Sequence, residues 1–102
     1  MRTIGFFTRD EDGFIGRIDT LSFQHKAVIL PRLGSQKKHS SDYMVYADGV
    51  ELGEAWRHTN ETGKVFLTLR LDDPSFCHRI DCQLVSDDKR LPFGNYRLVW
   101  SR

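Results

Sequence analysis

The stretch Val65-Phe66-Leu67-Thr68-Leu69-Arg70-Leu71 is the clearest structural signal in the sequence. Valine and leucine occupy every second position, and a phenylalanine, a threonine and an arginine stand between them. Successive side chains of a β-strand point to opposite faces, so this alternation predicts a strand with one face on an apolar core. Phe66 and Arg70 are then expected on the outer face.

The same period of two recurs along the chain and indicates an all-β protein. Two later strands place Ile80, Cys82 and Leu84, and then Tyr96, Leu98 and Trp100, on the inner face. Earlier strands are predicted at Thr3–Thr8, Phe14–Leu21, Gln24–Leu30, Tyr43–Ala47 and Val50–Thr59, the last bent at Gly53. Turns are predicted at Asp10–Gly13, Asp48–Gly49, Asn60–Gly63 and Asp87–Gly94, and a long loop at Arg32–Asp42. The fold class is therefore a small single-domain barrel or sandwich of about seven to eight mostly antiparallel strands.

The inner faces supply a core that needs no cofactor. The inward residues of the three strands that contain Val65–Leu71, Ile80–Leu84 and Tyr96–Trp100 form most of it. We expect them to be joined in the core by Phe6, Ile18, Val28 or Leu30, Val45 and Trp56. Each such side chain contributes roughly 1.5–3 kcal/mol on full burial, so the chain is expected to fold without metal or disulfides.

Charge is nearly balanced over the whole chain but not along it. The chain has 15 Lys plus Arg and 14 Asp plus Glu, and between Asp19 and Asp42 there is no acidic residue. This acid-free segment carries His25, Lys26, Arg32, Lys37, Lys38 and His39. It is either a solvated loop and strand edge or a local surface that contacts phosphates.

Outward-facing residues form the second candidate surface. Phe66 and Arg70 share one strand, Arg97 is outward on the last strand, and Arg17 is outward on the second. An exposed aromatic ring among arginines suits base stacking or the anchoring of a protein interface. The alternative is that a neighbouring strand or a dimer partner covers this face, so the sequence leaves the oligomeric state open, a homodimer included.

The remaining reactive side chains argue against catalysis. Cys77 and Cys82 would leave opposite faces of one strand and are interpreted as free thiols. The histidines are scattered rather than paired as in zinc sites. The acidic pairs Asp10/Asp12, Asp72/Asp73 and Asp87/Asp88 all fall at predicted turns, where aspartate caps backbone amides. The sequence thus predicts no catalytic, metal or cofactor site.

The sequence contains neither an apolar run of the roughly 20 residues that a membrane-spanning helix needs nor a recognisable signal peptide. We therefore expect a cytoplasmic protein with no membrane partner.

Several short strings together resemble the bacterial family known as domain of unknown function 736. They are Thr3-Ile4-Gly5 with Phe7; Asp12-Gly13-Phe14 with Gly16; Thr20-Leu21; Asp42-Tyr43 with Val45; Gly49-Val50-Glu51-Leu52-Gly53 with Ala55-Trp56; Leu71-Asp72-Asp73-Pro74-Ser75-Phe76; and Leu98-Val99-Trp100-Ser101-Arg102. The resemblance covers essentially the whole chain. It implies a small proteobacterial protein often encoded on conjugative plasmids, integrative elements or phage-like islands, and it carries over no catalytic residues.

Two hypotheses of function follow. The first is a non-enzymatic module that binds a protein, as an inhibitor of a host defence complex such as a CRISPR effector or as an accessory of the transfer machinery. The second is a single-stranded nucleic-acid-binding accessory of plasmid conjugation that acts through the local basic surface.

Overall fold

A computed structural model describes residues 2–11, 13–21, 23–31, 41–74, 76, 78–86 and 96–100. They contain eight strands: β1 Arg2–Asp10, β2 Gly13–Asp19, β3 Gln24–Pro31, β4 Tyr43–Ala47, β5 Val50–Thr59, β6 Val65–Leu71, β7 Ile80–Ser86 and β8 Tyr96–Trp100. No helix in this part of the chain is long and apolar enough to cross a membrane.

The eight strands form one closed antiparallel barrel in which each strand pairs with its neighbours in sequence. Pairing of β1 with β8, from Arg2 opposite Trp100 to Phe7 opposite Tyr96, closes the ring. The all-β prediction is confirmed, and the choice that the sequence left open is decided in favour of a barrel. Closure also pairs both edges of every one of these strands.

The predicted strands agree with the observed ones to within a few residues, because the turn chemistry is explicit in the sequence. Asp48 and Gly49 both have positive φ, 52° and 82°, as a two-residue hairpin turn of type I′ requires. In the next turn the side-chain oxygen of Asn60 accepts hydrogen bonds from the backbone amides of Thr62 and Lys64, each at 3.0 Å. The predicted turn Asp87–Gly94 and all but the last two residues of the predicted loop Arg32–Asp42 lie outside the described residues.

The barrel interior is filled by side chains. Its largest fully buried members are Phe7, Ile18, Ile29, Val45, Leu67, Leu69, Leu71, Leu84 and Leu98. An eight-stranded barrel has an interior just wide enough for side chains to fill. Phe14 packs edge-on against Tyr96 towards one end, and Phe23 packs edge-on against Phe76 towards the other.

Three predicted core positions are wrong, and each lies where the alternation is broken or ambiguous. An irregularity in β1 between Thr3 and Gly5 shifts the register, so Phe7 is buried and Phe6 is 51% exposed. In the second case Ile29 is inward, so both of its neighbours, Val28 and Leu30, point outward.

The third wrong position is Trp56 on β5. Leu52 and Ala55 are both buried although they are three positions apart, so the period of two is interrupted near Gly53, where a bend was predicted. Trp56 is paired with Thr68 on the outer side of the neighbouring strand. It is half-buried on the barrel surface rather than in the core.

Candidate functional site

The outer surface is where a ligand can bind, because side chains occupy the interior. Outward positions of neighbouring strands are brought side by side by the register. Two regions of different chemistry result, one on β2–β4 and one on β5–β8.

The first region, called here the β2–β4 face, consists of Ile15, Val28, Leu30 and Tyr46. Ile15 lies opposite Val28, and Val28 lies opposite Tyr46. Leu30 is two residues from Val28 on the same strand and therefore on the same face. Ile15 is 49% exposed and Leu30 is 47% exposed. These side chains line a shallow, open cavity of about 480 Å³.

A row of outward residues on β3, β2, β1 and β8 borders this face. It contains three cations and one aromatic residue, and we call it the cationic row: Lys26, Arg17, Phe6 and Arg97. Register pairs Lys26 with Arg17, Arg17 with Phe6 and Phe6 with Arg97. The structure thus brings together three of the predicted surface residues and adds the exposed Phe6, which the sequence had placed in the core.

Two positive charges face each other within the cationic row. Lys26 and Arg17 lie directly opposite each other, and like charges in that position are destabilising. Arg17 Nε is 2.8 Å from the Asp19 carboxylate on its own strand, which offsets part of the repulsion. Both partners of that pair are about half exposed, so its contribution to stability is small. Arg97 is half-buried and donates from Nη1 to the Thr3 hydroxyl at 3.5 Å.

The second region, called here the β5–β8 groove, is an open cavity of about 660 Å³. Its outer-face lining is Trp56, His58, Thr68, Arg70, Asp81, Gln83 and Val99. The guanidinium carbon of Arg70 is 5.7 Å from the centre of the Trp56 ring, within cation–π range. Arg70 and Arg79 both approach one Asp81 oxygen, at 3.5 and 3.8 Å.

One end of this groove carries a second aromatic surface. The ring of His58 is stacked on the ring of Phe66, with their centres 5.3 Å apart and their planes 25° apart. A hydrogen bond of 2.9 Å between His58 Nε2 and the Thr68 hydroxyl holds the imidazole in place. Phe66 was predicted outward, and its partner His58 was not predicted.

The predicted site residues therefore divide between two walls of the barrel. Arg17, Lys26 and Arg97 lie in the cationic row, whereas Phe66 and Arg70 lie at the β5–β8 groove. Arg32, Lys37, Lys38 and His39 lie outside the described residues. Trp56 and His58 could have been found by extending the Phe66 and Arg70 outer face to the preceding strand, since β5 pairs with β6.

The buried thiol of Cys82 lies at the floor of the groove. Burial, reinforced by the charge of Asp81, raises the pKa of Cys82 to about 12, so its thiol is neutral at physiological pH. In the described part of the chain no three His, Cys, Asp or Glu side chains converge as metal ligands would. His25 Nδ1 is hydrogen-bonded to the Asp48 carboxylate at the β4–β5 turn, so this member of the acid-free segment already has a partner on the barrel surface.

Comparison with known proteins assigns the chain to a family. The family model described as "Protein of unknown function (DUF736)" matches residues 3–102. The chain belongs to this family, as the sequence resemblance predicted. Neither the comparison with curated proteins nor the comparison with solved structures gives a match.

Proposed function

We propose that the chain is a non-enzymatic protein-binding module of a bacterial mobile genetic element and that the β2–β4 face is its docking surface. The observation that carries this proposal is the exposure of Ile15 and Leu30 beside Val28 and Tyr46. The barrel is packed without these four outward side chains. Contiguous outward-facing apolar side chains, two of them about half exposed, are typical of interaction sites.

The mode of binding follows from the closed barrel. Each strand is already hydrogen-bonded on both sides, so a partner cannot dock by adding a strand to a free edge. It must contact side chains on the outer wall. Tyrosine is enriched among the residues that dominate interface binding free energy, so Tyr46 is the best anchor of the face, and Ile15 and Leu30 supply apolar contacts around it.

The cationic row indicates the chemistry of the partner. A carboxylate that reaches the opposed pair Arg17 and Lys26 would relieve the repulsion between them. We therefore expect a protein surface with an apolar centre and an acidic rim. The mobile-element association implied by the family suggests two classes of partner, a subunit of a host defence complex such as a CRISPR effector and a component of the transfer machinery.

The test is affinity capture from host lysate with the full chain as bait, followed by reconstitution with the purified partner. Leu30→Asp places a charge among the apolar side chains of the β2–β4 face, where desolvation opposes binding. We expect it to weaken partner affinity by at least about 30-fold. The matched control is Leu21→Asp, because Leu21 is 92% exposed and lies outside this face.

The proposal stands if one purified protein binds the wild type and the Leu21→Asp variant but not the Leu30→Asp variant. Equal affinity of all three proteins would overturn the assignment of the face. Failure of the wild type to retain any specific protein would overturn the function itself.

A further inference from the structure

The β5–β8 groove lies on the wall opposite the β2–β4 face, since β3 and β7 are four strands apart in a ring of eight. We propose that this groove is a second binding site and that it takes single-stranded nucleic acid, with bases stacked on Trp56 and on the His58–Phe66 pair. This site is independent of the protein-docking surface proposed above.

Its first support is the spacing of the aromatic surfaces. Trp56 and His58 are two residues apart on β5, so both point outward and lie about 6.6 Å apart along the strand. Phe66 extends the His58 surface onto β6, where the two residues are directly paired. Two aromatic surfaces in succession on one wall can receive two neighbouring unstacked bases.

The second support is a pair of accessible guanidinium groups beside the Trp56 ring. Arg70 and Arg79 share the carboxylate of Asp81, and Glu54 lies directly opposite Arg70 on β5, so the two guanidinium groups are balanced by two carboxylates. Both arginine side chains are about half exposed, 47% and 52%. A phosphate can therefore contact either guanidinium without displacing a buried ion pair.

The third support is the polar lining. Thr68, Asp81 and Gln83 stand beside the rings and offer hydrogen-bond donors and acceptors to base edges. Stacking on outward-facing rings is tolerant of sequence because every base has a π-face. With a near-neutral chain and few cations at the groove, we expect a Kd of about 10–100 µM at low salt, in the range of non-specific binding.

The chain contains two tryptophans, and their positions make the test specific. Trp56 lies in the groove, whereas Trp100 packs against the hydrophobic core. Trp100→Phe leaves Trp56 as the sole indole, and we expect oligothymidylate to quench its fluorescence. Trp56→Phe leaves only Trp100, and we expect no quenching in that variant.

Binding itself is measured separately by the anisotropy of a labelled oligothymidylate. Trp56→Ala should weaken affinity by about tenfold, because stacking on one ring is lost, whereas Trp56→Phe should retain most of the affinity. His58→Ala combined with Phe66→Ala removes the other stacking surface and should weaken affinity similarly. Urea midpoints of all variants establish that the barrel is folded.

Inorganic polyphosphate supplies the charge of a nucleic acid without its bases; it can contact Arg70 beside the Trp56 ring but cannot stack on the ring, so it should quench Trp56 much less than oligothymidylate does. The proposal is overturned if oligothymidylate leaves Trp56 unquenched at low salt, as it would if the groove took an extended peptide instead. It is also overturned if polyphosphate quenches Trp56 to the same extent, or if Trp56→Ala binds as tightly as the wild type.

Discussion

The β2–β4 face and the β5–β8 groove are made from the same structural element, the outward positions of an antiparallel barrel, yet they differ in chemistry. The former presents aliphatic side chains and Tyr46, whereas the latter presents rings interleaved with Arg70, Asp81 and Gln83. Burial of a core constrains only the inward residue of each pair. The outward residues are free to differ, so their composition reports binding more directly than the fold does.

The first prediction tests whether inward and outward positions carry separate roles, and it uses two adjacent phenylalanines. Phe7 is 1% exposed and Phe6 is 51% exposed. Phe7→Ala should lower the free energy of unfolding by about 3–5 kcal/mol, whereas Phe6→Ala should change it by about 0.5 kcal/mol or less. Urea denaturation of both variants measures the difference. Equal losses would mean that the outer wall is part of the folding core.

The second prediction asks whether the β5–β8 groove opens into the interior. Cys82 lies at the groove but is only 5% exposed, and its pKa is raised from 9.0 to about 12. The thiolate is the reactive form, so at pH 8 its population is lower by a factor of about 1000. In a Cys77→Ser background, Cys82 should react with a disulfide reagent at least about 1000-fold more slowly in the folded than in the urea-unfolded chain. Comparable rates would show that the groove floor opens.

The same shift has a consequence for stability at alkaline pH. Because the folded-state pKa of Cys82 lies above the unfolded value, the folded chain holds this proton more tightly. The associated stability is fully present below pH 9 and is lost as the pH rises from 9 towards 12, by about 1.4 kcal/mol per pH unit. Cys82→Ala removes this contribution, so its unfolding free energy should fall less steeply with pH than that of the wild type.

The sequence was sufficient for the strands but not for all of their faces, and the reason is local. Alternation in Val65–Leu71 is regular, and its assignment is correct. In β3 the run Val28-Ile29-Leu30 is apolar at every position, so period alone could not choose the inward residue. In β1 and β5 the irregularities beside Gly5 and Gly53 change the phase. A bulge changes the side on which every later residue lies.

These phase changes also explain why the candidate sites were only partly found. Phe66 and Arg70 follow a regular strand, and both were predicted outward. Trp56 follows the interruption in β5 and was placed in the core, although it is central to the groove. The clustering of Arg17, Lys26 and Arg97 depends on the pairing of β1 with β2, β2 with β3 and β1 with β8. Residue types alone do not determine the pairing of β1 with β8, which closes the barrel.

The third prediction separates the two regions by their ligands. Leu30→Asp should weaken affinity for the protein partner by at least about 30-fold and should change affinity for oligothymidylate by less than about twofold. Trp56→Ala should weaken affinity for oligothymidylate by about tenfold and leave affinity for the protein partner unchanged. Distant sites without shared contacts behave independently. If either variant weakened affinity for both ligands by more than about threefold while the barrel remained folded, the two regions would be one coupled site.

The smallest effect is expected at the border of the β2–β4 face. Asp19→Asn removes the carboxylate that lies 2.8 Å from Arg17 and leaves the guanidinium opposite Lys26 without that compensation. Because the pair is about half exposed, the free energy of unfolding should fall by less than about 1 kcal/mol, and added salt should reduce the loss. The same change frees Arg17 for an acidic partner, so partner affinity at low salt should rise by about two- to threefold. Comparing Asp19→Asn with Asp19→Asn/Arg17→Gln in urea denaturation and in partner titration isolates this pair, since the gain in affinity requires Arg17. A gain that persists in the double variant would mean that the partner does not recognise the cationic row.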